Sequence, residues 1–414
     1  MKIAVVGSGI SGLVAASKLS GQHDITVYEA ADRIGGHTHT HEIPLGGKIW
    51  SVDTGFIVFN DWTYPNFIRL LDELGITSST SSMSFSVRCD VSGLEYNGTS
   101  LNTLFAQRRN LLRPSFLRMI RDILRFNREA PGLLDSQSDE LPLNDYLRAG
   151  RYGREFRDHY IVPMGAAIWS AAPEEILKFP ARYFIRFFHN HGMLSVDQRP
   201  QWRVVAGGSS RYLEPLTASF RDGIRLATPV VSIIREADGV TIVPQSGEAE
   251  RHDAVILACH SDQALALLDK ATPAEREILG AIPYQENEAI LHTDTRILPK
   301  SKRAWAAWNY HIPIHVQDRV AVTYNMNILQ GLAAPETFCV SLNHSAAIDP
   351  GRILQRMTYH HPVYTPAGIL AQSRHAEISG RNRTYYCGAY WGFGFHEDGV
   401  TSGLRVAEQI NGCH

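Results

Sequence analysis

The sequence predicts an α/β fold that begins with a strand, a tight turn, a helix and a second strand. The apolar run 3–6 leads into the turn 7–12, which has the spacing G-x-G-x-x-G, and a helical apolar pattern follows. A second apolar run, 25–28, ends at Glu29. This order of elements is that of a Rossmann-like dinucleotide-binding unit, so we expect phosphates at the N-terminus of the first helix.

The glycines of the turn have distinct predicted roles. Gly7 makes the sharp turn, Gly9 lets backbone approach a pyrophosphate, and Gly12 lets the helix pack closely on the strand. Glu29 stands at the spacing of an acid that binds the ribose hydroxyls. The alternative for Glu29 is an ordinary surface glutamate.

Composition indicates a globular protein of two units. The chain has 414 residues, of which 44% are hydrophobic and 20% charged, and its formal net charge of −2 gives no general attraction to nucleic acid. No apolar run has the length that spans a bilayer. The five cysteines form no C-x-x-C pair. These features predict a cytoplasmic protein without disulfides or a bound metal ion.

Strand and helix signals predict a discontinuous organisation. The runs 224–234 and 240–243 predict a hairpin, 253–258 and 384–387 predict further strands, and 400–410 predicts a helix. We therefore place pieces of the cofactor-binding unit at both ends and in the middle of the chain. The predicted segments are 1–75, 205–262 and 375–414 for the cofactor-binding domain, and 76–204 and 263–374 for an inserted α+β substrate domain.

Motifs along the whole chain carry a resemblance to a known family. The segments 32–37 (DRIGGH) and 53–56 (DTGF), together with the N-terminal turn, resemble the FAD-binding signature of the flavin amine oxidase and phytoene desaturase superfamily. Further motifs resemble the bacterial NAD/FAD-binding protein family and the N-terminal oxidase-like domain of plant cyclopropane-fatty-acid synthases. These motifs are 55–60 (GFIVFN), 64–66 (YPN), 83–87 (MSFSV), 168–170 (IWS), 199–202 (RPQW) and 387–399 (CGAYWGFGFHEDG).

The resemblance implies a fold of the amine-oxidase type with FAD as its cofactor. It implies that the C-terminal helix directs its N-terminus, at 397–400, toward the flavin, where it would stabilise the negative charge of the reduced ring. Val230 matches the residue that meets the adenine. The residues predicted to bind the cofactor are Gly7, Ser8, Gly9, Ser11, Gly12, Glu29, Ala30, Arg33, Gly35, Gly36, His37, Thr54, Gly55, Phe56, Val230, Gly388, Phe395, Glu397, Asp398, Gly399 and Val400.

The resemblance also implies a class of reaction. Members of the family are fused to, or encoded beside, methyltransferases that act on unsaturated phospholipid acyl chains. This implies an FAD-dependent oxidoreductase that desaturates, oxidises or isomerises unsaturated or methyl-branched fatty acyl chains, with a cyclopropane-fatty-acid-synthase-like methyltransferase as a partner. Two alternatives stay open: an amine oxidase for a small amine, and a non-catalytic flavoprotein that delivers lipid to such a methyltransferase.

Four residues are predicted to act in catalysis. By resemblance to monoamine oxidases, His360 and His361 fall where the flavin-attachment cysteine and the first aromatic residue of the flavin cage would be, and no lysine matches the one near the flavin. His361 is a candidate general base, because imidazole titrates near neutral pH. A structural histidine and a covalent link to the flavin are the alternatives. His396, before the C-terminal helix, and Tyr310, an aromatic residue of the substrate region, complete the set.

Two clusters have competing interpretations. His37, His39 and His41 alternate as the ligands of a metal ion would on an extended strand, but His37 follows the paired glycines, and we assign it to the cofactor. The aromatic residues of the substrate region fit either core packing or an apolar acyl tunnel. They are Trp169, Tyr183, Phe184, Phe187, Phe188, Trp202, Trp305, Trp308 and Tyr310.

The segment 114–128 predicts a helix that opens with a proline. Arg118, Arg121, Arg125 and Arg128 are spaced to lie along one side, with apolar residues on another. The arginines form either a solvated face or a cationic face that contacts anionic lipid headgroups. The second interpretation adds peripheral contact with the inner face of the membrane to the cytoplasmic location.

Overall fold

Residues 1–135, 141–314 and 319–412 are described by a computed structural model. The strands of these residues are β1 (Lys2–Val6), β2 (Asp24–Tyr28), β3 (Thr40–Leu45), β4 (Lys48–Asp53), β5 (Phe59–Asn60), β6 (Ser78–Thr80), β7 (Phe85–Cys89), β8 (Leu94–Asn97), β9 (Trp202–Val205), β10 (Ile224–Arg225), β11 (Val230–Glu236), β12 (Gly239–Pro244), β13 (Glu250–His252), β14 (Ala254–Leu257), β15 (Tyr284–His292), β16 (Trp308–Ile312), β17 (Val322–Asn325), β18 (Cys339–Leu342), β19 (Ile353–Pro362) and β20 (Thr384–Tyr386).

Helices connect and cover these strands. They are α1 (Ile10–Leu19), α2 (Pro65–Glu73), α3 (Leu101–Leu104), α4 (Pro114–Glu129), α5 (Leu143–Ala149), α6 (Arg154–Phe156), α7 (Val162–Trp169), α8 (Pro173–Lys178), α9 (Ala181–Asn190), α10 (Leu213–Thr217), α11 (Ser261–Leu267), α12 (Pro273–Gly280), α13 (Met326–Leu329), α14 (Pro366–Ser373), α15 (His375–Ile378) and α16 (His396–Asn411).

A parallel sheet of five strands forms the first unit, in the order β10-β2-β1-β14-β20. Its central strands are apolar and buried on both faces, as parallel strands covered by helices are. All five strands come from the three segments predicted for the cofactor-binding domain. The exact limits of the two domains stay a prediction.

The predicted hairpin forms, but it is shorter than expected. β11 and β12 pair antiparallel with Ile233 opposite Ile242. The run 224–234 is not one strand, because β10 leaves it to pair with β2 in the parallel sheet. The chain turns between them at Ala227, which has a positive φ of 48°.

An antiparallel sheet of the second unit faces the first. Its strand order is β19-β15-β18-β17-β16-β7-β8, and β16 pairs with β7 in the one parallel register of that sheet. Helices α4 to α9 pack on this sheet through an apolar cluster that includes Phe116, Phe156, Phe184 and Phe188. Phe184 and Phe188 are therefore core residues, so for these two the core-packing interpretation holds.

Helix α16 begins at His396, four residues before the predicted start at 400. Phe395 precedes its first turn, and the Asp398 carboxylate accepts a hydrogen bond from the Phe395 N–H at 2.9 Å. This capping interaction extends the helix toward the glycine-rich loop.

Helix α4 is present as predicted, but its four arginines do not share one solvated face. Arg125 turns inward, with its guanidinium 4.0 Å from the centre of the Tyr152 ring and 3.6 Å from the buried Asp122 carboxylate. Leu117 and Leu124, expected on the apolar side, are exposed. The inner face of the helix is formed by Phe116, Met119 and Phe126 instead.

Two smaller expectations concern membranes and cysteines. Within the described ranges, no helix has both the length and the apolar character that crossing a bilayer requires. Cys89, Cys259, Cys339 and Cys387 are free thiols, and Cys413 lies outside the described residues.

A buried ion pair ties the first unit together and can be tested by substitution. The Glu275 carboxylate binds the Arg235 guanidinium and accepts the Tyr386 hydroxyl at 2.6 Å, and it caps α12 at Thr272. We expect Glu275→Gln to lower the free energy of unfolding in urea by about 3 kcal/mol, because it leaves a buried guanidinium without its counter-charge. Glu236→Gln, at an exposed pair with Arg251, is the control and should cost less than about 1 kcal/mol. Equal losses would contradict this assignment.

Candidate cofactor and substrate site

One large cavity lies where the two units meet. Its volume is about 710 Å³, within the usual range for ligand sites. The strands β1, β2 and β14 of the parallel sheet end at it, and β16, β17, β18 and β19 of the antiparallel sheet contribute to its wall. Ligands of open parallel sheets bind at this edge of the strands.

The N-terminal turn forms one end of the cavity. Gly7 has a φ of +104°, and a Cβ there would lie 2.9 Å from the Ala258 carbonyl oxygen. A Cβ at Gly12 would collide with the Gly7 carbonyl, so helix and strand pack closely there. A Cβ at Gly9, by contrast, would meet nothing within 4 Å. Gly9 therefore leaves open space beside helix α1, whose first N–H groups have no side-chain cap.

Glu29 stands at the end of β2 beside this turn. Its Oε2 accepts hydrogen bonds from the Ser8 N–H at 2.9 Å and the Ser8 hydroxyl at 2.5 Å, and its Oε1 accepts the Ala31 N–H. These bonds fix the carboxylate and leave one lone pair free on Oε1. The position suits recognition of ribose hydroxyls, and it argues against an unconstrained surface glutamate.

The paired glycines run against the N-terminal turn. The Gly35 N–H donates to the Ser8 carbonyl at 2.9 Å, and Gly35 forms an isolated parallel bridge with Gly9. Arg33 does not reach the cavity, because its guanidinium donates to the Gly36 and Thr38 carbonyls and holds the loop closed.

The predicted residues that line the cavity come from distant segments. They are Gly7, Ser8, Gly9, Ser11, Glu29, Ala30, Gly35, Gly36, His37, Thr54, Gly55, Phe56, Val230, Gly388 and Phe395, together with the catalytic candidates His360, His361 and His396.

Residues 397–400 of α16 support the cavity without lining it. Glu397 accepts the N–H groups of Asn66 and Phe67 and so caps α2. Gly399 packs against α1, since a Cβ there would lie 2.7 Å from the Ile10 side chain, and Val400 is buried in the core. Asp398 caps α16 itself, and burial raises its carboxyl pKa to about 6. At this end of α16 the cavity is lined by Phe395 and His396, and not by residues 397–400 as predicted.

Buried histidines surround the middle of the cavity. Burial lowers the pKa of His37 and His260 to about 4 and that of His361 and His396 to about 3, with neighbouring histidines adding to the effect. They are therefore neutral at pH 7. The Asn287 amide nitrogen donates to Nδ1 of His361 at 3.0 Å, while Nε2 of His37 is buried without a hydrogen-bond partner.

His360 and His396 have different environments. The His360 side chain is 44% exposed, and its Nε2 lies 3.8 Å from the Glu286 carboxylate. His396 is stacked on Phe56 at 3.7 Å and shares a 2.8 Å hydrogen bond with the Tyr212 hydroxyl. These contacts order the loop before α16.

Tyr310 does not line the cavity. It is buried in the core of the second unit, two residues along β16 from Trp308, which does line it. Lys300 and Lys302 are exposed residues outside the lining as well. Thr54 and Tyr359, whose hydroxyls are 3.0 Å apart, instead connect the two units beside the cavity.

Several lining residues were not predicted from the sequence. His260 stacks on Tyr284 at 4.2 Å, directly after β14. Its position at the carboxyl end of a parallel strand was a usable signal, since such ends form the ligand edge. Tyr359 and Tyr390 had no local signal, because only the pairing of the antiparallel sheet and the turn after β20 bring them to the cavity.

The described residues fit a dinucleotide. The open face of Gly9, the uncapped start of α1 and the fixed Glu29 carboxylate form a seat for phosphate and ribose. The lining continues from Val230 and Thr228 to Phe395. His37 also lines this part of the cavity, and its Nε2 atom, which has no partner within the protein, is available for a hydrogen bond to the dinucleotide.

Comparison with known proteins is consistent with this site. The sequence profile described as flavin containing amine oxidoreductase matches residues 10–323. A Mycobacterium tuberculosis (strain CDC 1551 / Oshkosh) protein named for flavin-containing monoamine oxidase, AofH, is 26% identical over 293 residues, which are 67% of this chain. This chain spans 61% of that relative's length.

Solved structures share the fold. A putrescine oxidase redesigned in its cofactor binding has a TM-score of 0.72 at 15% identity, covering 100% of this chain and 99% of the other. A CLA-producing fatty acid isomerase from P. acnes has a TM-score of 0.68 at 16% identity, covering 99% and 97%. At such identities the likeness shows the fold alone.

The fold and the site define a flavin-binding protein of the α/β amine-oxidase type. The chain belongs to the flavin-containing amine oxidoreductase family, since the family match covers more than half of its length. The family match confirms the cofactor FAD, and the solved structures confirm the predicted fold class. Both leave the substrate open.

The open face of Gly9 gives a direct test of the seat. The Gly9 backbone has φ −68° and ψ 171°, which alanine adopts without strain. We expect Gly9→Ala to leave the unfolding temperature of the apoprotein unchanged and to weaken FAD binding about tenfold or more, because the new methyl group occupies the phosphate path. Fluorescence titration with FAD measures this. Gly21→Ala, also at an open position, is the control; equal affinity of both variants would refute the seat.

The buried His396 predicts a pH effect on stability. Its folded pKa of about 3 lies below the unfolded value of about 6.5, so only the unfolded state takes up a proton as the pH falls through this window. Stability is therefore lost below pH 6.5. We expect His396→Gln to reduce the slope of unfolding free energy against pH by about one proton, or about 1.4 kcal/mol per pH unit, between pH 6 and 4. Urea unfolding of the apoprotein measures it, and parallel curves would contradict it.

Proposed function

We propose that this protein is an FAD-dependent oxidoreductase that desaturates, oxidises or isomerises unsaturated or methyl-branched fatty acyl chains. The observation that carries the proposal is the uncharged, apolar wall that the second unit contributes to the cavity. Among the described lining residues there is no lysine, arginine or aspartate, and Glu29 is the sole carboxylate.

Aromatic and aliphatic side chains form this wall. Trp308 and Tyr324 lie opposite each other on β16 and β17, with ring centres 5.0 Å apart, and Leu342 follows on β18. The end of α7 adds Ile168 and Trp169 from the opposite side. A flexible hydrocarbon chain gains about 0.8 kcal/mol for each methylene group buried on such a surface.

The electrostatics favour a neutral substrate. Glu29 is held by Ser8 and Ala31 at the ribose position, so it does not neutralise a cation at the wall. The buried His37 and His361 are neutral, because burial lowers their pKa values, and the same loss of hydration would act on a cation that enters beside them. An ammonium group would enter without a carboxylate partner and pay a desolvation cost.

The amine alternative has its own support. Aromatic faces attract cations, and Trp308 and Tyr324 present such faces. The named relatives include a monoamine oxidase and a putrescine oxidase. Amine oxidation is therefore the second candidate.

The chain's own residues would bind, orient and move a proton. FAD, when bound, supplies the acceptor for a hydride. The wall excludes water and orients the chain of the substrate. His37, His361 and His396 have pKa values too low to hold a proton at neutral pH, so they act as neutral hydrogen-bonding groups. His360, which is accessible and faces Glu286, is the proposed proton acceptor.

Two resemblances support a lipid context. The sequence motifs resemble the oxidase-like domain of plant cyclopropane-fatty-acid synthases, and the P. acnes neighbour is a fatty acid isomerase. On this basis we propose a cyclopropane-fatty-acid-synthase-like methyltransferase as a partner.

Anaerobic titration separates the candidate functions. Loss of the oxidised flavin spectrum on addition of oleic acid or dioleoyl phospholipid supports acyl oxidation, whereas loss with putrescine or benzylamine alone refutes it. Isomerisation returns the flavin to its oxidised form, and it is detected by gas chromatography of the fatty acid methyl esters, which separates double-bond isomers of equal mass. No spectral change and no new lipid would favour the non-catalytic partner.

A charge placed on the wall tests the substrate assignment. We expect Ile168→Glu to reduce the rate of flavin reduction by the acyl substrate about tenfold or more, because a carboxylate must be desolvated against hydrocarbon. FAD content should not change, since Ile168 comes from the second unit. Ile168→Leu is the matched control and should react like the parent. A faster reaction with amines in the glutamate variant and no loss with lipid would favour the amine alternative.

A further inference from the structure

An exposed surface around α3 and α4 combines leucines with arginines. Five of the fifteen large exposed apolar side chains in the described residues come from the short stretch 101–124. They are Leu101, Leu111, Leu112, Leu117 and Leu124, of which Leu112 is 88% exposed. Soluble proteins rarely cluster large apolar groups without a use for them.

The same stretch is strongly basic. Residues 101–128 contain seven arginines, and the single carboxylate, Asp122, is buried. Five of these arginines are exposed, namely Arg108, Arg109, Arg118, Arg121 and Arg128. We call these five arginines and the five exposed leucines the Arg–Leu surface. Because the whole chain has a net charge of −2, this is a local concentration of positive charge.

Helical geometry puts both kinds of side chain on one stripe of α4. Leu117, Arg121, Leu124 and Arg128 follow the spacing of residues that lie above one another on a helix. Their inner neighbours Phe116, Met119 and Phe126 are buried, so the stripe faces outward. The leucines therefore project between guanidinium groups.

The turn before α4 continues this surface and is firmly held. The Arg108 guanidinium donates to the Asn102 and Phe105 carbonyls of the α3 region at 3.2 and 2.8 Å. Arg109 donates to the Gly93 carbonyl at 2.6 Å. Carbonyl partners fix these side chains without cancelling their charge. Leu111 and Leu112 are thus exposed on an ordered tip rather than on a loose loop.

We propose that the Arg–Leu surface docks this protein on an anionic lipid bilayer. The arginines would bind lipid phosphates, and Leu111, Leu112, Leu117 and Leu124 would insert among the acyl chains near the headgroups. Arginines alone would fit nucleic acid equally well, but an exposed leucine row has no partner on a phosphate backbone. The proposal does not depend on the proposed acyl substrate, because binding is measured without turnover.

Vesicle flotation of the full-length, FAD-loaded protein tests the proposal. We expect the parent to float with mixed phosphatidylcholine–phosphatidylglycerol vesicles at low salt and not with pure phosphatidylcholine. The double variant Leu111→Asp/Leu112→Asp should bind about tenfold more weakly or worse, because it removes the inserted groups. Arg118→Glu/Arg121→Glu should reduce binding by about fivefold or more for each charge removed.

Two control variants make the same kinds of substitution outside the Arg–Leu surface. Ile49→Asp/Leu370→Asp changes two exposed apolar residues outside the surface, and Arg276→Glu/Arg405→Glu changes two exposed arginines. Both should float like the parent, and FAD content and unfolding temperature check that every variant is folded. No flotation of the parent, or flotation of the leucine variant like the parent, overturns the proposal. Equally tight binding to duplex RNA that is insensitive to the leucine change also overturns it.

Discussion

The close packing of the first helix on the last one is the constraint on which the site depends. A Cβ at Gly403 would collide with the Ser11 carbonyl, and one at Gly399 would meet the Ile10 side chain at 2.7 Å. Without side chains at these positions, α16 lies directly on α1. This contact joins the phosphate-binding turn at one end of the chain to the loop Phe395–His396 at the other. One cavity can therefore receive both ends of a dinucleotide.

The parts of this arrangement that the sequence predicts are those set by local backbone geometry. Gly7 needs a positive φ and Gly12 a close approach, so the turn has a recognisable spacing. The wall of the second unit has no such spacing, because it is assembled by strands far apart in the chain. Trp308 and Tyr310 show the difference: both point to the same side of β16, yet only Trp308 reaches the cavity. Local periodicity gives the face of a strand but not how far along it the cavity extends.

Electrostatic partners were hard to predict for the same reason. Arg125 has the spacing of a surface arginine on α4, but Tyr152 and Asp122 draw it inward. Glu397 has the position of a residue that meets the cofactor, yet its oxygens are used to cap α2. In each case a group from another segment binds the side chain: the Tyr152 ring for Arg125 and the N–H groups at the start of α2 for Glu397. Sequence spacing does not reveal such competitors, since they depend on tertiary packing.

The two ends of the cavity differ in how strongly family membership constrains them. The dinucleotide end must present free N–H groups, a fixed carboxylate and glycine contacts, so the residue types it can use are few. The second unit needs only to exclude water and match the shape of the substrate, and many side chains can do this. In this chain the wall carries no charge, and the histidines beside it stay neutral because burial lowers their pKa. This wall offers no ionic partner to an ammonium group, which would lose hydration on entering, whereas a hydrocarbon chain needs no such partner; that difference is the physical basis of the proposed acyl substrate.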